Sequence, residues 1–351
     1  MIRALQPTSP AAVLAGIGAC LPPRLISNDE LVAYLDTSDR WIRDRTGIRQ
    51  RYHVTPGMST GDLATEAGRL ALKAAGLGLV DAVVLGTTTP DWNCCPATAP
   101  SVATRLGLST VTAFDVSAAC ASFLHAVAIA AGLIATGSAE QVLVIGADAL
   151  STIRDPLDRS TAAILADAAG AVVLRAGDPA EPGAIGPCIL GSDGEQAELL
   201  EVPAGGARQR SAGTTADPAG YYLQMRGRQT YRHAVERTTE VSYTALRSAG
   251  WKVQDVDKFA AHQANARICD AVADRLGIPA SRRLANVEHV GNTGAASIPL
   301  LLAQAAASGA LMPGTRTLLA AFGSGLTWGA TTVVWPAVQA LCGTAEADQP
   351  K

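Results

Sequence analysis

The chain repeats itself, and that duplication constrains its fold more than any other feature. One unit runs from Ala64 and a second from Val241, each opening with an amphipathic helical pattern that stops at Ala-Gly, Ala75-Gly76 and Ala249-Gly250. In both, a Val-Asp pair (Val80-Asp81, Val256-Asp257) leads into a short apolar strand, residues 82–85 and 258–261, and then a polar turn, residues 87–91 and 262–265. Each turn feeds a further helix. A run of small residues then opens an all-apolar helix: Ser117-Ala118-Ala119-Cys120 ahead of residues 121–135, and Gly291-Asn292-Thr293-Gly294-Ala295-Ala296 ahead of residues 298–307. A strand closes each series, 141–145 and 316–322. Gly76 lies 44 positions before Cys120 and Gly250 lies 42 before Asn292, so spacing is kept along with order.

Strands alternating with helices imply parallel or mixed sheets covered by helices. Helices apolar on every side are buried ones. The two units therefore predict an α/β protein of five layers, α/β/α/β/α, with the apolar helices trapped between two sheets. The halves are expected over 1–176 and 221–338, separated by a Gly-, Pro- and Ala-rich extended covering region over 177–220 and followed by a tail, 339–351. At 351 residues and 48% hydrophobic the chain is long enough for this. Twenty-eight basic against 31 acidic side chains leave a net charge of −3, which recommends neither nucleic acid nor an anionic membrane as partner. The seven cysteines have no paired or zinc-type spacing, so a reduced, cytoplasmic chain without structural metal is expected. Arg3 and the apolar run 11–21 ending in Ile17-Gly18-Ala19-Cys20 loosely resemble a lipoprotein export signal. A buried first strand is the preferred reading, because Gly residues interrupt the run and Pro22-Pro23 closes it at strand length.

Cys120 carries the chemistry. It follows a strand and a small-residue turn and opens the buried helix, where unpaired N–H groups and the helix dipole favour thiolate, the nucleophilic form. His125 is nearest in sequence, but five residues along a helix it lies about 140° away from Cys120 and reads as a core histidine. His262 follows an apolar strand and opens a polar turn, where α/β proteins present side chains to ligands. Asn292 is the repeat counterpart of Cys120, and its amide N–H₂ suits donation to an oxyanion. Phe322-Gly323-Ser324-Gly325 is followed by a strand pattern, so a phosphate cradle is excluded. A strand-turn-strand there brings a backbone N–H toward the reacting carbonyl, completing an oxyanion hole with the N–H of Cys120.

With Trp41-Ile42, Arg45-Thr46-Gly47-Ile48, the run 114–121 around Cys120, His262-Gln263-Ala264-Asn265, Gly291-Asn292-Thr293 and Phe322-Gly323-Ser324-Gly325, the chain from about Val13 to Pro336 resembles the β-ketoacyl-[acyl-carrier-protein] synthase III family of the thiolase-like superfamily. The resemblance implies a thiolase-like fold, a bacterial cytoplasmic homodimer and a catalytic set of Cys120, His262 and Asn292. Acyl-CoA and malonyl-carrier protein would be substrates, with no cofactor bound permanently. Trp41 and Arg159 would sandwich the adenine of coenzyme A, with Arg45 near its phosphates and Met225, Gly227 and Asn265 along the pantetheine tunnel. Phe322 would cover the catalytic set. Arg232, Arg267 and Arg275 would form the docking patch for an acidic acyl carrier protein.

Several positions depart from the family pattern. Residues 166–171 read Ala-Asp-Ala-Ala-Gly-Ala where Gly-Asp-Gly-Ala-Gly-Ala is usual, and Ser324 replaces the middle Gly of the C-terminal turn, keeping the N–H of the oxyanion hole. Cys95 and Leu165 stand where Phe is common, Cys95 at the floor of the partner's acyl pocket. Both enlarge the pocket, so an acyl starter larger than acetyl is expected. Three other readings stay open: acyl transfer to a hydroxyl or amine without condensation, a non-catalytic dimerising subunit, and, more weakly, a cysteine hydrolase. Retention of Cys120, His262 and Asn292 favours condensation.

Overall fold

A computed structural model describes residues 9–213 and 215–346. A six-stranded sheet runs in the order Ala340–Thr344, Ala11–Leu21, Asp167–Gly177, Gln141–Ala149, Ala82–Gly86, Thr112–Val116. A four-stranded sheet runs Lys258–Ala261, Arg316–Gly323, Thr327–Val334, Ile189–Ser192. The duplication is visible in the pairing. Ala82–Gly86 lies parallel to Gln141–Ala149, which lies antiparallel to Asp167–Gly177, which lies antiparallel to Ala11–Leu21. Lys258–Ala261, Arg316–Gly323, Thr327–Val334 and Ile189–Ser192 repeat that series with the same senses. The counterpart of Thr112–Val116 shrinks to one parallel bridge, Phe259 to Arg283.

Two expected segments take on more structure than their composition suggested. Ile189–Ser192, inside the stretch 177–220, is the edge strand of the second sheet and the equivalent of the chain's first strand. Ala340–Thr344, expected as tail, pairs in parallel with Ala11–Leu21 and extends the first sheet. Both runs are too short for period-two alternation to register, and only an open sheet edge makes strands of them. The run around Cys20 is strand, and Cys20 is fully buried. No helix among the described residues is long and apolar enough to cross a membrane.

The apolar helices Ser122–Ala135 and Ser297–Ala307 sit at the centre. Their buried faces (Phe123, Leu124 and Val127; Ile298, Leu300 and Leu301) belong to one core with Val84, Val144 and Val172 of the first sheet and Leu319, Ala321 and Val333 of the second. The amphipathic helix Thr60–Ala75 covers the outside of the first sheet, and Gly227–Ser248 with Ala266–Leu276 covers the second. This is the expected five-layer order. Helix and strand meet at backbone distance: a Cβ on Gly146 would stand 2.3 Å from the Ala295 carbonyl oxygen. Gly146→Ala must push the second half's central helix off the first sheet, and overpacking of that kind costs about 1–3 kcal/mol. A matching fall in thermal or urea midpoint is expected, and an unchanged midpoint would contradict the packing described.

Candidate active site

Cys120 sits in a single 3₁₀ turn, Ala119–Ala121, between the strand Thr112–Val116 and the central helix. Ala119 holds φ +48°, the left-handed region that a residue with a Cβ adopts only under constraint. The constraint comes from both halves. Ala118 N–H donates to Ser122 Oγ at 2.8 Å, and Thr327 Oγ1 donates to the Ala118 carbonyl at 2.8 Å. A Cβ on Gly323 would stand 2.7 Å from the Cys120 nitrogen, so the C-terminal turn lies directly against the nucleophile's backbone.

His262 extends the strand Lys258–Ala261 by one parallel hydrogen bond, its N–H donating to Ala320 O at 2.8 Å. Its carbonyl accepts from Cys269 Sγ at 3.4 Å, and its Nδ1 is buried with no hydrogen-bond partner among the described residues. Asn292 is pinned through its backbone, donating to Ile164 O at 2.9 Å and accepting from Ala166 N–H at 2.8 Å. Its Oδ1 accepts from Gly294 N–H at 3.0 Å, which leaves the Nδ2 hydrogens for a ligand. Cys120, His262 and Asn292 line one cavity of about 100 Å³, together with Leu165, Phe322 and Ser324. His125 is elsewhere, its Nδ1 against the carbonyl of Ala121 in its own helix.

Trp41, Arg45, Arg159, Met225, Gly227 and Asn265 line an adjoining outer cavity with Arg228 and Arg267. Ser160, Ile164, Met225, Thr230, Asn265 and Ile268 belong to both walls, so the two form one tunnel from the surface to Cys120. The Arg159 guanidinium lies 5.0 Å from the centre of the Trp41 ring and donates to Asp36 O, so the two expected jaws are stacked on each other. Arg232, Arg267 and Arg275 are exposed on the packed helices Gly227–Ser248 and Ala266–Leu276, and Arg267 lines the mouth. Cys95 is exposed and does not line its own chain's cavity, whereas Leu165 is a wall residue. Among the described residues no group of three His, Cys, Asp or Glu side chains is placed to hold a metal.

The expectation of a favoured thiolate is overturned. Burial pushes the Cys120 thiol up to about 12, the negative charge of Asp148 adds to it, and the backbone N–H at the helix start opposes it too weakly. Burial likewise holds His262 down to about 4, so at neutral pH the pair is thiol and neutral imidazole. Asp148 escaped the sequence reading, although it is the lone charge in the apolar strand Gln141–Ala149. Leu150 and Ile153 of the cavity wall carried no signal at all, since they read as ordinary apolar residues.

The His262 shift has a consequence for stability. Below its ordinary value near 6.5 the unfolded chain takes up a proton that the folded chain refuses until about pH 4. Stability from this group is therefore complete above pH 6.5 and declines by up to about 3 kcal/mol as pH falls through that window. Urea midpoints for the native protein and His262→Gln should converge or cross between pH 7 and pH 4.5. Parallel curves would show that His262 is not held neutral by the fold.

The C-terminal family profile described as 3-oxoacyl-[acyl-carrier-protein (ACP)] synthase III C terminal matches residues 246–335, and that described as 3-oxoacyl-[acyl-carrier-protein (ACP)] synthase III matches 114–194. The chain is 54% identical to β-ketoacyl-[acyl-carrier-protein] synthase III 5 of Streptomyces coelicolor over 95% of its own length and 100% of the relative's. Its structure superposes on 3-oxoacyl-(acyl carrier protein) synthase III from Pseudomonas aeruginosa PAO1 with a TM-score of 0.88 at 46% identity, covering 93% and 99% of the two chains. It superposes on the priming β-ketosynthase of the R1128 polyketide biosynthetic pathway with a TM-score of 0.86 at 33% identity, covering 95% and 99%. Together with a cysteine, a histidine and an asparagine meeting at the end of one tunnel, these likenesses establish that the chain belongs to the β-ketoacyl-[acyl-carrier-protein] synthase III family.

Proposed function

We propose that the chain transfers an acyl group from acyl-CoA to Cys120 and condenses it with malonyl-carrier protein, releasing CO₂. The observation that carries this is the tunnel: a basic, aromatic mouth at one end and Cys120, His262 and Asn292 on the wall of the apolar cavity at the other. In loading, the Cys120 sulfur bonds to the acyl carbon, the bond to the coenzyme A sulfur breaks, and the thiol proton of Cys120 ends on the departing coenzyme A. The N–H groups of Cys120 and Ser324 hold the carbonyl oxygen while it is charged. In condensation, neutral His262 and the Asn292 amide donate to the malonyl thioester oxygen as CO₂ leaves. The resulting enolate carbon attacks the acyl-Cys carbonyl carbon, the bond to the Cys120 sulfur breaks, and the expelled thiolate takes a proton from water to restore the thiol. Fixed donors in a dry cavity suit an enolate whose charge exists only transiently.

Arg45, Arg159, Arg228 and Arg267 around Trp41 and Tyr231 suit a nucleotide carrying phosphates. Insertion of an adenine between Trp41 and Arg159 requires the Arg159 side chain to leave the ring it now covers. The exposed helix face with Arg232, Arg267 and Arg275 supports docking of an acidic carrier protein beside the mouth. A cytoplasmic homodimer fits as well. The strand Thr112–Val116 is a half-exposed edge of the six-stranded sheet, and Ile129 of the adjacent apolar helix and Trp92 are 37% and 41% exposed. Twofold pairing at that edge would cover all three and bring Cys95 toward the partner's cavity.

Cys120→Ala is expected to abolish acyl loading, read as the mass of the intact protein after incubation with acyl-CoA. His262→Ala and Asn292→Ala should still load, while condensation falls by roughly 10²–10³. Full turnover without the Cys120 sulfur would refute the reading.

Leu165 in the wall and Cys95 in place of larger side chains favour branched or medium-chain starters over acetyl. Each added buried methylene contributes up to ~0.8 kcal/mol, so a chain several carbons longer gains tenfold or more. In competition between acetyl-CoA and a C6–C8 acyl-CoA the longer group should dominate on Cys120, and Cys95→Phe should reverse the preference. Acetyl loading first, with no effect of Cys95→Phe, would identify an acetyl-primed enzyme.

A further inference from the structure

Asp148 is fully buried, pairs with no cation among the described residues and has no part in the steps above. Its two oxygens serve different halves of the molecule. Oδ1 accepts from Thr88 N–H at 2.6 Å, and from Thr89 N–H, Thr87 Oγ1 and Thr89 Oγ1 at 3.1 Å each. Thr88 is part of the cavity wall. Oδ2 accepts from Ala295 N–H at 2.7 Å, at the start of the second half's central helix. That N–H lies three residues past Asn292 and one past Gly294, whose own N–H holds Asn292 Oδ1. Gly294 has φ +56°, and a Cβ on it would stand 2.2 Å from Asp148 Oδ2, so only glycine lets the turn close on the carboxylate.

We propose that Asp148 is a positioning residue for condensation: its Oδ2 seats the turn 292–295 against the first half's sheet and so keeps the Asn292 amide aimed into the cavity. The inference rests on Asn292 acting on the malonyl thioester. The arrangement is asymmetric in what it controls. Four donors on Oδ1 anchor the carboxylate to its own half, and the single bond from Oδ2 sets the position of a turn that otherwise belongs to the other half. A neutral amide at this position satisfies the threonine side and turns its own N–H₂ against Ala295 N–H, so that a donor meets a donor. The titratable groups facing Cys120 are Asp148, from the strand Gln141–Ala149, and His262, from the end of Lys258–Ala261, with Cys269 farther along the cavity wall. Burial pushes the Asp148 carboxyl up and its hydrogen-bond donors pull it down, and its ionised form is the negative charge facing the sulfur, which the amide removes.

The test is Asp148→Asn in the full-length protein, with loading of Cys120 read by intact mass and condensation read with malonyl-carrier protein. Condensation should fall about 10²-fold while loading stays within about fivefold. The pH profile of Cys120 alkylation by iodoacetamide should also move to lower pH. Equal losses in loading and condensation with an unmoved alkylation profile would reduce Asp148 to a packing element and overturn the proposal, as would unchanged condensation. Gly294→Ala attacks the same contact without touching the charge, and decides the matter if Asp148→Asn does not fold. Condensation should again be lost selectively, now with the alkylation profile in place, and normal condensation there overturns the proposal. Asn292→Ala runs alongside: if it condenses normally, the failure lies in the role given to Asn292 and not in Asp148.

Discussion

At their starts the two central helices meet strands of the sheets with almost nothing in between. Four glycines make this possible. A Cβ on Gly86 would come within 2.8 Å of the Ser122 backbone, on Gly146 within 2.3 Å of Ala295, on Gly170 within 2.7 Å of Leu300 and on Gly323 within 2.7 Å of Cys120. Each helix start is therefore locked to a strand of the sheets around it, and the two starts converge on one cavity. That convergence puts Cys120 and Asn292 on the wall of the same cavity, and sets the turn after Gly323 beside the Cys120 nitrogen.

The same enclosure determines the electrostatics. A helix N-terminus stabilises a negative charge by up to about 2 kcal/mol in favourable geometry, which is less than two pKa units. Full burial moves a titratable group by as much as 3–5 units. At Cys120 both act, and burial wins, with Asp148 on its side. His262 is kept neutral by the same cause. The one standing negative charge that faces the sulfur, that of Asp148, works against the thiolate as burial does.

Much of this was legible in the sequence, for identifiable reasons. The strand series and its order are carried by apolar runs and Ala-Gly helix ends that survive duplication, and the observed pairings follow them in both halves. His262 was legible from its place at a strand end, and Asn292 from its repeat relation to Cys120, since an Asn between glycines reads by itself as a turn residue. The residues lining the outer cavity came only through resemblance to a family, since Trp41, Arg159 and Met225 are far apart in the chain and each looks ordinary where it stands. What stayed hidden depends on long-range contact. Ala340–Thr344 becomes a strand because the edge of Ala11–Leu21 is open, and Asp148 matters because Ala295, far along the chain, donates to it. The protonation state of Cys120 was misread because the local turn shows the dipole, whereas the desolvation comes from the whole fold.

The tunnel separates recognition from reaction, and the separation has energetic meaning. Its outer wall carries four arginines, each suited to phosphate; its inner wall is mostly aliphatic, with Cys120, His262 and Asn292 the polar exceptions that matter for chemistry. A ligand that satisfies both walls has an anionic head at the mouth and an apolar end that reaches Cys120. Binding energy gained at the mouth is then available to hold the reacting carbon in a site that otherwise disfavours charge. Water, which gains nothing at the mouth, competes poorly at the inner end. The shared wall of Ser160, Ile164, Met225, Thr230, Asn265 and Ile268 is where the two demands meet. Asn265 shows how the chain meets them: its side chain caps the helix Ala266–Leu276 by accepting from Ile268 N–H at 3.0 Å, so a tunnel residue is held rigid by the helix it begins.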